Sequence, residues 1–221
     1  MSELRVENVT YRYKNAQHSA LDGVSCVFQG GQVSAVVGPS GSGKTTLLSI
    51  LAGLDRPESG QVLLNGEDLS GKDLDAYRRQ DASVIFQAFQ LFPLLTVLEN
   101  VCYPMELNGE KRKAAEARAR ALLEQVGIEA EKLGRFPANL SGGEQQRVAI
   151  ARSLATGARV LLADEPTGNL DGENSRNVVD ILCRLAREEG YCVVIVTHDT
   201  EIADGADLVF QMRDGALAQV R

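Results

Sequence analysis

Three short stretches carry residues whose types and spacing suit phosphate chemistry. The first is Gly38-Pro39-Ser40-Gly41-Ser42-Gly43-Lys44-Thr45-Thr46. Its glycines let successive backbone N–H groups curl around a phosphate, because a Cβ would block that approach. Lys44 can reach the outer phosphates of a nucleoside triphosphate, and the Thr45 hydroxyl can bind Mg2+. The second is Ala163-Asp164-Glu165, two carboxylates that close an apolar run. Asp164 can hold Mg2+ through water and Glu165 can polarise an attacking water, although two adjacent acids also serve as surface punctuation. The third is Leu140-Ser141-Gly142-Gly143-Glu144, a hydroxyl and two permissive backbones ahead of a helical pattern. It reads as a second anion site, whereas Ser141 in isolation reads as a plain helix cap.

These groups need elements to hold them. Val33-Ser34-Ala35-Val36-Val37 predicts a buried strand before the first stretch, and Leu47 to Ala52, closed by Gly53, predicts a helix after it. A strand, a glycine-rich turn and Gly-Lys-Thr opening a helix form the context that makes the match meaningful. The helix start adds about half a positive charge. Val160 to Ala163 and Cys192 to Thr197 predict two more buried strands, the latter ending at His198-Asp199. An open α/β sheet presents its chemistry at such strand ends. His198 can contact a terminal phosphate there or simply be exposed; His18 has no such context. Ser83 to Phe86 predicts a short strand ending at Gln87, whose amide oxygen can ligate Mg2+ or lie idle on the surface.

Residues 3–13 alternate in part, and Val24 to Phe28 and Gly60 to Gly66 read as further strands. Together they predict a small accessory antiparallel sheet. Tyr11 and Tyr13 share one strand face; both can be edge packing, or one can stack on a nucleotide base. Asp73 to Gln80 predicts a helix. The segment Ala88-Phe89-Gln90-Leu91-Phe92-Pro93-Leu94-Leu95 is apolar without a period, so it either covers a local core or docks a partner. A helix is predicted from Thr96, with Glu99 in a capping-box position, and another over 110–126, ended by Gly127. A helix over 175–188 and a hairpin of 208–212 with 216–220 around Asp214-Gly215 complete the chain.

The 221 residues are 44% hydrophobic and 24% charged, an ordinary globular balance. A net charge of -7 without a Lys/Arg block argues against autonomous nucleic-acid binding and against a polybasic anchor. No apolar run reaches the length of a membrane span, and the first residues lack a signal-peptide core. Cys26, Cys102, Cys183 and Cys192 show no metal spacing and read as buried thiols in a reducing cytoplasm.

The order of the phosphate loop, Gln87, Leu140-Ser141-Gly142-Gly143-Glu144, Asp164-Glu165, Asp171 and His198 resembles that of the ATP-binding cassette ATPases, over the whole chain. FQAFQLFPLLTVLENV, LSGGEQQRVAIARSL, DEPTGNLD and VTHD look most like the subunits of the lipoprotein-release, macrolide-export and cell-division group. The resemblance implies an α/β fold: a P-loop, RecA-like, mostly parallel sheet with an N-terminal antiparallel part and an inserted all-helical part. The implied divisions are 1–30 and 60–70 (antiparallel), 31–59, 71–87 and 141–221 (core) and 88–140 (helical). It also implies ATP and Mg2+ as cofactors. Tyr13 is then the residue that stacks on adenine, and Ser40, Gly41, Ser42, Gly43, Lys44, Thr45 and Thr46 wrap the phosphates. Thr45, Gln87 and Asp164 hold the metal, and Glu165, Gln87 and His198 serve hydrolysis. Ser141, Gly142, Gly143 and Glu144 close over ATP bound by a second copy, with Asp171 at the interface between copies. Integral membrane subunits would dock near Ala88 to Leu95, which places the chain on the cytoplasmic face of a membrane. Glu144 departs from the glutamine common in the family.

A soluble DNA-maintenance or translation ATPase of the same superfamily is the competing reading. Only 54 positions separate Gln87 from Ser141, too few for a coiled-coil arm, and there is one phosphate loop, not two. Lys44→Ala is expected to weaken ATP binding by at least about tenfold, because it removes a charge-assisted contact to phosphate. A direct titration checks this, and unchanged affinity would remove Lys44 from the phosphate site.

Overall fold

The computed structural model describes residues 2–14 and 16–221. In chain order it contains β1 (Glu3–Tyr11), β2 (Leu21–Gln29), β3 (Val33–Val37), α1 (Lys44–Leu51), β4 (Ser59–Leu64), β5 (Glu67–Asp68), α2 (Leu74–Gln80) and β6 (Ala82–Ile85). Then follow α3 (Val97–Leu107), α4 (Arg112–Gln125), α5 (Gly142–Ala155), β7 (Val160–Asp164), α6 (Gly172–Glu189), β8 (Cys192–Thr197), α7 (Thr200–Gly205), β9 (Leu208–Arg213) and β10 (Ala216–Gln219). The strands form two sheets. One is antiparallel, in the order β2-β1-β4-β5; the other runs β10-β9-β3-β8-β7-β6 and is parallel except for its β9–β10 edge pair.

The parallel sheet is covered on both faces, which is why its strands read as continuous apolar runs. Alternate side chains go to opposite cores, as a period of two requires. Val33, Ala35, Leu161, Ala163, Val193 and Ile195 join the core built with α3 to α6. Val36, Val160, Leu162, Val194 and Val196 join Leu47, Leu48, Ile50 and Leu51 of α1 and the apolar face of the antiparallel sheet. Thus α1 is sandwiched at the junction of the two sheets. Tyr77 of α2 seals its end, donating its buried hydroxyl to the Leu51 carbonyl at 2.7 Å.

Helix starts follow local hydroxyl and carboxylate chemistry. Thr96 and Glu99 form the expected capping box on α3, and Ser141 and Glu144 form another on α5. Asp171 accepts from the Asn174 N–H, so α6 begins at Gly172, earlier than the apolar pattern suggested. The short α7, capped by Asp199, lay outside the sequence reading because it is too short to show a period. Cys26, Cys102 and Cys192 are buried, and burial pushes the Cys26 and Cys192 thiols up to about 12; Cys183 is only partly buried. No helix among the described residues is long and apolar enough to cross a membrane.

The apolar segment after Gln87 is held from beneath by Asn100 of α3, which is fully buried. Its amide oxygen accepts from the Phe92 N–H at 2.8 Å, and its amide nitrogen donates to the Phe92, Leu95 and Thr96 carbonyls at 3.0–3.1 Å. This network lets Phe92 and Leu94 stay exposed at 40% and 87% while the backbone beneath them is fixed. Asn100→Val takes the partner from the Phe92 N–H and the Leu95 carbonyl, while the Phe92 and Thr96 carbonyls keep the Leu95 and Asn100 N–H groups, and it should destabilise the chain by about 2–4 kcal/mol. The expected readout is a lower urea midpoint at unchanged slope; an unshifted midpoint would show that the network contributes nothing.

Candidate nucleotide and hydrolysis site

Strands β3, β7 and β8 end side by side. Their parallel register pairs Val37 with Thr197 and Asp164 with Val196. The phosphate loop, the acidic pair and His198 therefore leave the sheet at one edge. There a cleft of about 770 Å³ is lined by Tyr13, Ala20, Ser40, Gly41, Gly43, Lys44, Thr45, Thr46, Glu165 and His198.

One wall of the cleft is the start of α1. No side chain caps this helix and no acid lies in its first turn, so its leading N–H groups and positive end face the cleft. Gly43 precedes it at φ 113°, packed on the Ala20 carbonyl oxygen, where any Cβ would collide. The buried Lys44 folds back along the loop and donates to the Gly38 and Pro39 carbonyls at 2.8 and 3.0 Å. Tyr13 lies just past β1. Its hydroxyl is 2.9 Å from Thr46 Oγ1, and its ring meets Tyr11 edge-on at 5.0 Å. Tyr13 lines the cleft and Tyr11 does not. Ser42 is buried within the loop and is not part of the cleft wall.

The opposite wall carries the acids. Glu165 adopts φ 45°, a conformation costing a non-glycine residue on the order of 1–3 kcal/mol. Its N–H bonds the Val196 carbonyl at 2.9 Å, which holds the turn. Its carboxylate accepts from the Thr197 hydroxyl at 3.2 Å, and one oxygen lies 2.9 Å from His198 Nδ1. His198 thus meets Glu165 directly. Asp164 lies half-buried behind, its carboxyl raised by burial and by the negative charge of Glu165, with Lys44 opposing.

Gln87 stands outside the cleft wall. It packs on Gly168, and its carbonyl accepts from Asn169 Nδ2 at 3.0 Å. Residues Ser141 to Glu144 also lie away from the cleft, at the start of α5. Ser141 Oγ accepts from the Glu144 N–H at 3.3 Å, leaving its own proton to donate. A Cβ on Gly143 would run into the Asn174 side chain, so this position is glycine for packing as well as for backbone access. Asp171 is engaged as the cap of α6, bonding Asn174 through backbone and side chain.

With this geometry in view, the comparisons decide the family. The ABC transporter family model matches residues 21–168. The chain belongs to the ABC transporter family. It is 48% identical over 200 residues to the lipoprotein-releasing system ATP-binding protein LolD of Syntrophotalea carbinolica, covering 89% of this chain and 88% of that protein. It is 43% identical to the macrolide export ATP-binding/permease protein MacB of Shigella flexneri, covering 98% of this chain but 34% of that longer protein. The ABC cassette MJ0796 superposes with a TM-score of 0.88 at 36% identity, over 99% of both chains, in a structure described as dimeric. A second MJ0796 structure, described as a dimeric post-hydrolysis state with ADP and Pi, gives the same TM-score at 35% identity. The chain is accordingly an ABC-type nucleotide-binding ATPase cassette.

Two residues, one in the cassette's site and one behind the segment after Gln87, escaped the sequence reading. Thr197 was visible only as the hydroxyl ending an apolar strand. Arg152, in the last turn of α5, donates to the Phe89 and Gln90 carbonyls, two residues at φ 55° and 53°. That long-range contact leaves no local signature. The strained Asp164–Glu165 pair predicts a trade-off between function and stability. Asp164 has a raised pKa when folded, so its charge costs stability above its unfolded pKa of about 3.9. Asp164→Asn should raise the nucleotide-free melting temperature at pH 7, with the gain shrinking toward zero as the pH falls below about 4, while turnover falls by about tenfold or more. A melting temperature reduced at pH 7 would contradict the sign.

Proposed function

We propose that this cassette binds Mg-ATP between two copies and drives a conformational change in a membrane-embedded partner. In this reading Tyr13 stacks on adenine and residues 40–46 wrap the phosphates. Lys44 exchanges its loop carbonyls for the outer phosphates. Glu165 polarises the attacking water, with His198 and Thr197 fixing its carboxylate, so that positioning and electrostatics supply the acceleration. Thr45, Gln87 and Asp164 are the Mg2+ residues. An all-oxygen donor set suits this hard cation, and the raised carboxyl of Asp164 beside Glu165 marks negative charge awaiting a counter-ion. The cation would neutralise phosphate charge.

The observation that carries the two-copy reading is the separation of the anion-ready elements. The uncapped start of α1 faces the cleft, whereas Ser141, Gly142 and Gly143 lie outside it on the same chain. A two-fold pairing would bring the Ser141 to Glu144 stretch of one copy to the cleft of the other, with Asp171 at the seam. The dimeric description of MJ0796 supports this. Gln87, which meets Gly168 and Asn169 after the acidic pair, immediately precedes the segment that exposes Phe92 and Leu94, so the surface near Ala88 to Leu95 is the proposed dock for membrane subunits. The names of the LolD and MacB relatives, a lipoprotein-releasing system and a macrolide export protein with a permease part, support a lipid-linked or hydrophobic cargo; in this reading peptides also fall within the cargo class and the cassette sits on the cytoplasmic face of the membrane. The negative net charge supports a partner that is not nucleic acid.

Glu165→Gln keeps the shape but removes a charge beside the terminal phosphate. Turnover should fall by on the order of a hundredfold or more, and the variant should elute as a dimer with Mg-ATP and as a monomer without it. Elution as a monomer in both conditions would refute the two-copy site.

A further inference from the structure

Glu144 places a carboxylate in the first turn of α5, where the proposed partner nucleotide would bring its own negative end. For the helix alone this is favourable. One oxygen, Oε2, accepts from the Ser141 N–H at 2.8 Å, and a negative group suits a helix start. For an arriving phosphate it is unfavourable, because like charges at this range repel. The other oxygen, Oε1, is met by Lys132 Nζ at 2.8 Å. Lys132 belongs to the 3-10 turn Ala130–Lys132, ahead of α5 in the chain, so the pair crosses between elements.

We propose that Lys132 is a positioning residue for the ATP site formed between copies: it neutralises Glu144 and holds it in the capping box, so that Ser141, Gly142 and Gly143 present an uncharged donor face to the terminal phosphate. This rests on the two-copy reading above. Lys132 also touches Glu129 at 2.7 Å. That carboxylate side chain is 62% exposed and water screens it, whereas the Glu144 side chain is 16% exposed. The ammonium is therefore the charge that matters most to Glu144. In keeping with this, the Lys132 contact is the largest influence holding the Glu144 carboxyl down at about 2, so it stays ionised at every working pH and needs its partner throughout.

The arrangement also accounts for the departure of position 144 from glutamine. A glutamine offers the same capping oxygen to the Ser141 N–H with no charge, so it requires no lysine. Lysine and glutamate together restore that neutrality. Lys132 touches no nucleotide in this account and acts only through Glu144. Its effect must therefore vanish when Glu144 loses its charge.

The test uses the full chain with Glu165→Gln as parent and Mg-ATP as probe. The Mg-ATP concentration giving half dimer is measured by light scattering on a sizing column. Adding Lys132→Met should raise it by about tenfold, the scale of one uncompensated charge beside a phosphate. Adding Glu144→Gln to that variant should return it to within about twofold of the parent. Binding of Mg-ATP to dilute monomer and the urea midpoint without nucleotide are read in parallel. If the parent itself stays monomeric, the two-copy reading fails, and this proposal with it. If the parent dimerises and Lys132→Met leaves its half-point unchanged, the Lys132 proposal alone is overturned. It is equally overturned if Glu144→Gln does not rescue, or if the shift follows only a loss of fold stability.

Discussion

The parallel pairing of β3, β8 and β7 is the constraint on which the site depends. Parallel strands all end at the same edge of a sheet, so groups carried at their carboxyl ends converge without any contact between them being specified. Here the register sets Val37 beside Thr197 and Asp164 beside Val196. A further backbone bond, Glu165 N–H to the Val196 carbonyl, turns the acidic residue across β8 toward His198. The sheet can tolerate the left-handed conformation of Glu165 because the neighbouring β8 is buried along its whole length and holds the turn through Val196.

Around that edge the chain divides two kinds of helix start. The first turn of α1 is left without a side-chain partner and opens on the cleft; α4 also lacks a side-chain cap but does not line the cleft, while α2, α3, α5, α6 and α7 are closed by Asp73, Thr96, Ser141, Asp171 and Asp199. A closed start stabilises the helix; an open one keeps its N–H groups for an anion. The start of α5 is intermediate. Ser141 caps with its oxygen yet retains its proton, and Glu144 caps with a charge that Lys132 offsets. Local stability and phosphate recognition thus use the same atoms in different protonation and pairing states.

The apolar segment beyond the cleft is held mainly by side chains that bond its backbone carbonyls. Arg152 of α5 grips the Phe89 and Gln90 carbonyls, and Asn100 of α3 grips those of Phe92, Leu95 and Thr96. The segment carrying the exposed Phe92 and Leu94 is tied at both ends to helices.

The sequence by itself determined the chemistry at short range. Gly38 to Thr46 between a strand and a helix, the acids after Ala163, Ser141 before two glycines and the Thr96–Glu99 box were all readable, because each is set by neighbours within a turn or a strand end. The alternation of the core strands was readable for the same reason. Tertiary structure alone decided which of these groups meet. It put His198 on Glu165 and brought Thr197 to the same carboxylate. It set Gln87 against Gly168 and left Ser141 outside the cleft of its own chain. It also gave Glu144 its lysine and the Phe89–Gln90 turn its arginine. Most of these pairings join residues tens of positions apart, the Lys132–Glu144 pair crosses between two helical elements, and all are fixed by strand register and helix packing, which no local spacing encodes.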